Sequence, residues 1–209
     1  VGALFAVGGM GSIHRAVDRT TGQTVALKLL AESRAIDRER FEREAAALAS
    51  LDHPAIVRYF ASGTSYLAME WIEGENLADW LVDEGGITVD DAVRIASRIA
   101  SALDAAHAHG LLHRDVKPAN IMLRGAPPDC SDPCIVDFGL ARRVGADHRV
   151  TATGITVGTP GYMAPEQVRG ARALDGRLDQ FALGCVLYEC LDGHPPFEGE
   201  NPLAIGLKV

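Results

Sequence analysis

The stretch His113-Arg114-Asp115-Val116-Lys117-Pro118-Ala119-Asn120-Ile121-Met122-Leu123 decides the reading of this chain. Between Asp115 and Asn120 it places an aspartate, a lysine and an asparagine, with Pro118 stiffening the path between them. A loop so built can point a carboxylate at one reacting atom and an amide oxygen at a metal ion beside it. Downstream, Asp137-Phe138-Gly139 supplies a second carboxylate. Three-residue matches of this kind recur by chance in solvated loops, so the weight rests on an ordered series of further signals.

Upstream, residues 1–30 alternate apolar and glycine-rich segments: Leu4 to Val7, Gly8-Gly9-Met10-Gly11, Ser12 to Val17, a turn at Thr20 to Gln23, then Thr24 to Leu30. This spacing predicts three antiparallel strands, the first turn built almost without bulky side chains, so that backbone N–H groups can approach a phosphate. Glycines that only relieve positive φ in a plain hairpin are the bland alternative. Lys28 weighs against it, because a lysine ending an apolar strand needs an anionic partner. Residues 37–51 read as a helix with Asp37 as N-cap and Phe41, Ala45, Leu48 and Leu51 on one face. Two more strands are expected over Ile56–Phe60 and Ser65–Met69. A long helix begins at Thr88, capped with Asp91, carries Val93, Ile95, Ala96, Ile99, Ala100, Leu103 and Ala106 inward, and stops at Gly110. His107 and His109 near its end read as structural or solvent-facing.

The ordered set Gly8-x-x-Gly11-x-Ile13, Val25-Ala26-Leu27-Lys28, His113-Arg114-Asp115, Asp137-Phe138-Gly139 and Ala164-Pro165-Glu166 resembles the signature of the protein kinases. The wording Gly8-Gly9-Met10-Gly11, Lys117-Pro118-Ala119-Asn120 and Gly158 to Gln167 most resembles bacterial kinases of the eukaryotic-like type. The resemblance implies an α+β, two-lobed protein-kinase-like fold: a small antiparallel β-sheet lobe plus one helix (1–69), a hinge (70–75), and a larger mainly helical lobe (76–209). It implies ATP and Mg²⁺, with Val7, Gly8, Gly9, Met10, Gly11, Ile13, Ala26, Lys28, Met69, Glu70, Ile72 and Met122 around the nucleotide. Asn120 and Asp137 would hold the metal. Asp115 would act on a Ser or Thr hydroxyl, Lys117 would steady the γ-phosphate, and Lys28 would pair with Glu44. Met69 reads equally as an ordinary core methionine. Ala6 stands where the family has its first glycine, and a methyl is tolerated there if φ is negative.

Between Gly139 and Ala164, Arg142, Arg143, His148 and Arg149 precede Thr151, Thr153 and Thr156, a composition suited to a loop ordered by an added phosphate. Thr159 lies in what resembles a peptide-docking loop of serine/threonine-specific form. Residues 179–191 are apolar almost all round and read as a helix buried in a lobe centre, whose Asp179 the resemblance makes the anchor of the catalytic loop's backbone. Residues 124–134 read as a surface insertion; a Cys130–Cys134 disulfide fits sterically, and two incidental thiols are the favoured reading. Against the family pattern the chain is expected to lack the start of the first strand and the last helices of the larger lobe, including the arginine partner of Glu166.

A net charge of −8 argues against a nucleic-acid face. No apolar run suggests a membrane span or a signal segment, and four cysteines complete no zinc pattern, so a reducing, cytoplasmic setting is expected. Protein substrates, and self-association for trans-autophosphorylation, are the partners implied. A pseudokinase acting as a binding module and a small-molecule phosphotransferase stay open as alternatives. Against the first stands the full set Lys28, Glu44, Asp115, Asn120 and Asp137; against the second stand Arg114 and the Ala164-Pro165-Glu166 closure.

Overall fold

Alternating side chains from Leu4 to Leu30 fold as three antiparallel strands, β1 (Leu4–Gly8), β2 (Gly11–Val17) and β3 (Thr24–Leu30). The structure, a computed structural model, describes residues 2–8, 11–30, 38–125, 132–138, 160–171 and 173–209. Gly9, Met10, Asp37, Cys130, Gly139, Thr151, Thr153, Thr156 and Thr159 therefore lie outside the described residues. Asp18 closes the β2–β3 turn by accepting from the Thr20 N–H at 2.8 Å and the Thr21 hydroxyl at 3.0 Å. With β4 (Tyr59–Gly63) and β5 (Tyr66–Glu70) these strands form one sheet in the order β1-β2-β3-β5-β4.

The fourth strand begins at Tyr59 and not at Ile56 for an identifiable reason. The Ala55 and Ile56 N–H groups turn back onto His53, at 3.1 Å to Nδ1 and 3.0 Å to its carbonyl. Val57 N–H then donates to Ile135 of the larger lobe at 3.0 Å, so this segment pairs away from the sheet. Helix α1 (Arg38–Ser50) packs on β4 and buries Phe41, Ala45 and Leu48 as the spacing predicts, with Leu51 buried just beyond it.

Strand β6 (Gly74–Asn76) comes next, so only residues 71–73 lie between the two sheets. Helix α2 (Leu77–Glu84) follows, an element absent from the sequence reading although its signals are present. Asn76 Oδ1 accepts the Asp79 N–H at 3.0 Å, Gly85 ends the helix at φ 68°, and Leu77, Trp80 and Leu81 face inward. Helix α3 (Val89–Ala108) is capped by Thr88, whose hydroxyl accepts the Asp91 N–H at 3.2 Å. Its buried stripe is Ala92, Ile95, Ile99, Ala102, Leu103 and Ala106. Val93 and Ala100, expected inside, are exposed, Val93 to 52%, because at 3.6 residues per turn Ala92 continues the Ile95–Ile99 row and these two fall beside it.

Strands β7 (Ile121–Arg124) and β8 (Pro133–Ile135) pair antiparallel and extend β6 into a three-stranded sheet. Three further helices, α4 (Pro165–Val168), α5 (Arg177–Asp192) and α6 (Pro202–Lys208), complete the described lobe. Helix α5 packs on α3 and buries Leu178, Ala182, Val186 and Cys190. It is not buried all round as its composition suggests: Tyr188 and Leu191 are about half exposed, on the face that also carries Gln180 and Gly184.

The core assignments make a contrast that urea denaturation can read. Replacing Leu48, 1% exposed, by alanine is expected to cost about 2–5 kcal/mol, whereas Val93→Ala should stay within about 0.5 kcal/mol. Equal losses would show that α3 is rotated from the orientation described.

Candidate active site

The site is built on a buried carboxylate. Asp179, in the first turn of α5 and fully buried, accepts the His113 N–H at 2.9 Å and the Arg114 N–H at 2.8 Å, and its Oδ2 lies 2.8 Å from His107 Nε2. Two consecutive amides converging on one side chain bend the backbone, and Arg114 takes φ 66°. A non-glycine residue there costs on the order of 1–3 kcal/mol, which these bonds offset. Gln167 of α4, 1% exposed, adds a second hold: its Nε2 donates to the Arg114 carbonyl at 3.2 Å while its Oε1 accepts the Ala164 N–H at 3.0 Å. The one cue to Gln167 in the sequence is its place as a polar residue directly after the Ala164-Pro165-Glu166 closure.

His113 is fully buried and its protonation follows from its partners. Nδ1 accepts the Asp115 N–H at 3.2 Å, so Nε2 carries the proton and donates to the Val136 carbonyl at 2.9 Å. Burial holds the imidazole below its usual pKa, outweighing the nearby carboxylates of Asp179, Asp115 and Asp137. Its ring lies 4.7 Å from that of Phe138. The neutral histidine thus joins the loop at Asp115 to the segment at Asp137, itself at φ 61°.

Asp115, Lys117 and Asn120 come together as their spacing suggests. Lys117 Nζ lies 3.1 Å from Asp115 Oδ2. The short 3-10 turn Pro118–Asn120 swings the asparagine back, and its Nδ2 donates to the Asp115 carbonyl at 2.7 Å and to Oδ2 at 3.3 Å. With the amide nitrogen so engaged, Asn120 Oδ1 is the atom left to accept a ligand. The Val136 N–H donates to the Asn120 carbonyl at 2.9 Å, and the Ile121–Ile135 pairing of β7 and β8 holds Asn120 beside Asp137. The donors this corner offers, an amide oxygen and carboxylate oxygens, are the hard set that Mg²⁺ prefers, and they fit that ion.

Lys28 has the anionic partner its place in β3 demands, but a different one from that expected. Its Nζ lies 2.8 Å from Asp137 Oδ2, and its side chain is 8% exposed. The expected Lys28–Glu44 pair does not form: Glu44 Oε1 faces Arg114 Nη1 at 3.7 Å. The backbone restraint on Arg114 sends its guanidinium to α1, and a lysine already meeting Asp137 leaves that glutamate to the arginine.

Around this core, Ile13 stands opposite Lys28 in the β2–β3 register, and Ala26 opposite Met69 in the β3–β5 register. Ala26 and Met69 are buried, Ile13, Ile72 and Met122 are partly buried, and Val7 is exposed. Glu70 is committed within the chain: Arg124 Nη2 meets its carboxylate at 3.0 Å and its N–H donates to the Arg58 carbonyl at 2.8 Å. Gly11 is required for reasons internal to the sheet. At φ 138°, a Cβ there would lie 1.8 Å from the Leu29 carbonyl oxygen. Ala6 is not among the described residues with positive φ, so its methyl is tolerated.

Fold and site together identify the class: the chain belongs to the protein kinase domain family, whose model matches residues 4–207. Among its relatives, the serine/threonine-protein kinase PknB of Mycobacterium tuberculosis (strain H37Rv) is 38% identical over 220 residues, covering 100% of this chain and 34% of that protein. The probable serine/threonine-protein kinase CE0033 of Corynebacterium efficiens is 40% identical over 220 residues, covering 100% of this chain and 33% of that protein. The chain thus spans about a third of the length of these relatives. A solved structure described as Rad53 1-466 in complex with AMP-PNP aligns with a TM-score of 0.79 at 30% identity, over 99% of this chain and 51% of that one. Among the described residues no helix is long and apolar enough to cross a membrane.

A buried neutral histidine makes stability depend on pH with a definite sign. Unfolded, His113 binds a proton below about pH 6.5; folded, its lowered pKa keeps it neutral, so stability should fall as pH drops from about 6.5 toward 5. Urea midpoints of the wild type and His113→Asn across this range should show a shallower slope in the variant. Parallel profiles would show that His113 is not the group responsible.

Proposed function

We propose that the chain is the catalytic domain of a serine/threonine protein kinase, moving the γ-phosphoryl group of ATP to Ser or Thr hydroxyls of protein substrates. The observation that carries this is the single hydrogen-bonded network that sets Asp115, Lys117 and Asn120 beside the Lys28–Asp137 pair through neutral His113. The names of the relatives support the Ser/Thr assignment, and the AMP-PNP complex of the solved neighbour supports nucleotide binding.

In this reading residues 1–69 and 76–209 are the two lobes, joined by 70–75. The β1–β2 pair, with Gly8, Gly9, Met10 and Gly11, covers the phosphates, and Val7, Ile13, Ala26, Met69, Ile72 and Met122 surround the base. Glu70 contributes through its backbone. Lys28 neutralises phosphate charge from a nearly dry position. Asn120 and Asp137 hold Mg²⁺, which when bound neutralises charge on the phosphate oxygens. Asp115 orients the acceptor hydroxyl and receives its proton as the oxygen bonds to the γ-phosphorus. The bond to the bridging oxygen breaks and ADP departs, while Lys117 steadies the transferred group. Positioning and charge neutralisation account for the rate in such a transfer, since little covalent chemistry falls to the protein. Thr159 serves the peptide, and Thr151, Thr153 and Thr156 are the candidates for regulatory phosphorylation, in cis or between copies. In this reading the domain works in the cytoplasm, where ATP is available.

Incubation with labelled ATP and Mg²⁺ should modify a Ser/Thr peptide library and the chain itself. Asp115→Asn should lower the rate about a hundredfold or more with nucleotide affinity within about twofold of wild type. Wild-type turnover in that variant would remove Asp115 from the mechanism.

A further inference from the structure

Between the two sheets, on the outer side of residues 71–73, four side chains from three segments form a cluster that the reaction above does not use. The Phe5 ring of β1 meets Trp71 edge-on, centroids 5.0 Å apart at 85°. Arg15 of β2 lies over the same indole at 5.0 Å and reaches on to Glu73 at 2.6 Å. Trp71 Nε1 is buried with no hydrogen-bond partner among the described residues, so ring contacts and not a polar anchor hold the indole in place. Phe5 is 66% exposed, and an aromatic side chain kept at that exposure is not there to fill the core.

We propose that Trp71 is a positioning residue: with Phe5 and Arg15 it forms a clasp that fixes the height of the β1–β2 pair over the linker, and so sets how tightly the mouth of the cleft retains an adenine nucleotide. Both strands of the pair are gripped, β1 by ring contact and β2 by its arginine, while the end of the pair near Gly8 and Gly11 has no part in the clasp. Opening the mouth separates the rings and exposes the indole. The Arg15–Glu73 contact is exposed and adds little alone; it orients the guanidinium over the ring.

The nucleotide half of this inference rests on the kinase reading; the strand-pair half does not. Amide hydrogen exchange of the nucleotide-free protein is therefore compared for wild type, Phe5→Leu, Trp71→Leu and Arg15→Ala, with α5 as the control for global unfolding. ATP affinity and KM are measured on the same proteins. Exchange across Leu4–Gly8 and Gly11–Val17 should rise about three- to tenfold in Phe5→Leu and Trp71→Leu, and about twofold in Arg15→Ala, with α5 unchanged. ATP dissociation constants and KM should rise by similar factors, with a smaller change in kcat. The Phe5→Leu/Arg15→Ala double variant should show less than the product of the single effects, since both act through one indole. Wild-type exchange in Trp71→Leu would overturn the clasp. Faster exchange with wild-type ATP affinity would overturn its link to nucleotide retention. A wild type that binds no ATP would sink the kinase reading while the exchange comparison still decides the clasp.

Discussion

A carboxylate buried without any cation fully neutralising it is costly, and Asp179 is tolerated because three donors converge on it. The bond to the His113 N–H and the bond to the Arg114 N–H fix the direction in which the chain leaves α3, and everything at the site inherits that direction. His113 is pointed at the Val136 carbonyl, Arg114 at α1, and Asp115 lies beside Lys117 and Asn120. A helix of the lobe interior thus sets the geometry of a loop that by itself has no regular structure. Gln167 holds the same loop from the other side through the Arg114 carbonyl, so the segment around α4 cannot shift without disturbing the same peptide.

Among the described residues, two of the ion contacts that cross between the lobes end on the loops of the site. Lys28 reaches Asp137 and Glu44 reaches Arg114. They differ in quality: 2.8 Å is a charged hydrogen bond, whereas 3.7 Å is a looser electrostatic contact. The residues that could have formed the expected Lys28–Glu44 pair are each held by an aspartate or arginine whose backbone sits at positive φ. The charge arrangement therefore follows from backbone geometry in the larger lobe more than from side-chain preference.

Much of this was legible from residue order alone. Strand alternation over 4–30, the capped start of α3 at Thr88 and the inward face of α1 are local signals, and the structure follows them. The grouping of Asp115, Lys117 and Asn120 was legible because six positions of chain cannot separate them far. Partner choice was not. Whether Lys28 meets Glu44 or Asp137 depends on how α1 and the 136–138 segment sit, which no local pattern encodes. The same limit explains Val93, where a few tens of degrees of helix rotation decide between core and surface, and the register of the segment before β4, captured by β8 and not by its own sheet. Helix α2 was missed although Asn76, Asp79 and Gly85 mark its ends, because its eight residues are too few for periodicity to stand out.

That capture by β8 has a mechanical meaning. The Ala55 carbonyl accepts from Ile135 N–H at 2.9 Å and Val57 N–H donates to the Ile135 carbonyl at 3.0 Å, so main chain from the smaller lobe is stitched to the larger one at a place distant in sequence from residues 71–73. Two bodies whose main chains are joined at two places share a line through both. Rotation about that line stretches neither seam, whereas sliding or twisting across it must break peptide hydrogen bonds. The main-chain hydrogen bonds therefore leave the cleft one inexpensive coordinate, a door-like swing that the Lys28–Asp137 contact opposes.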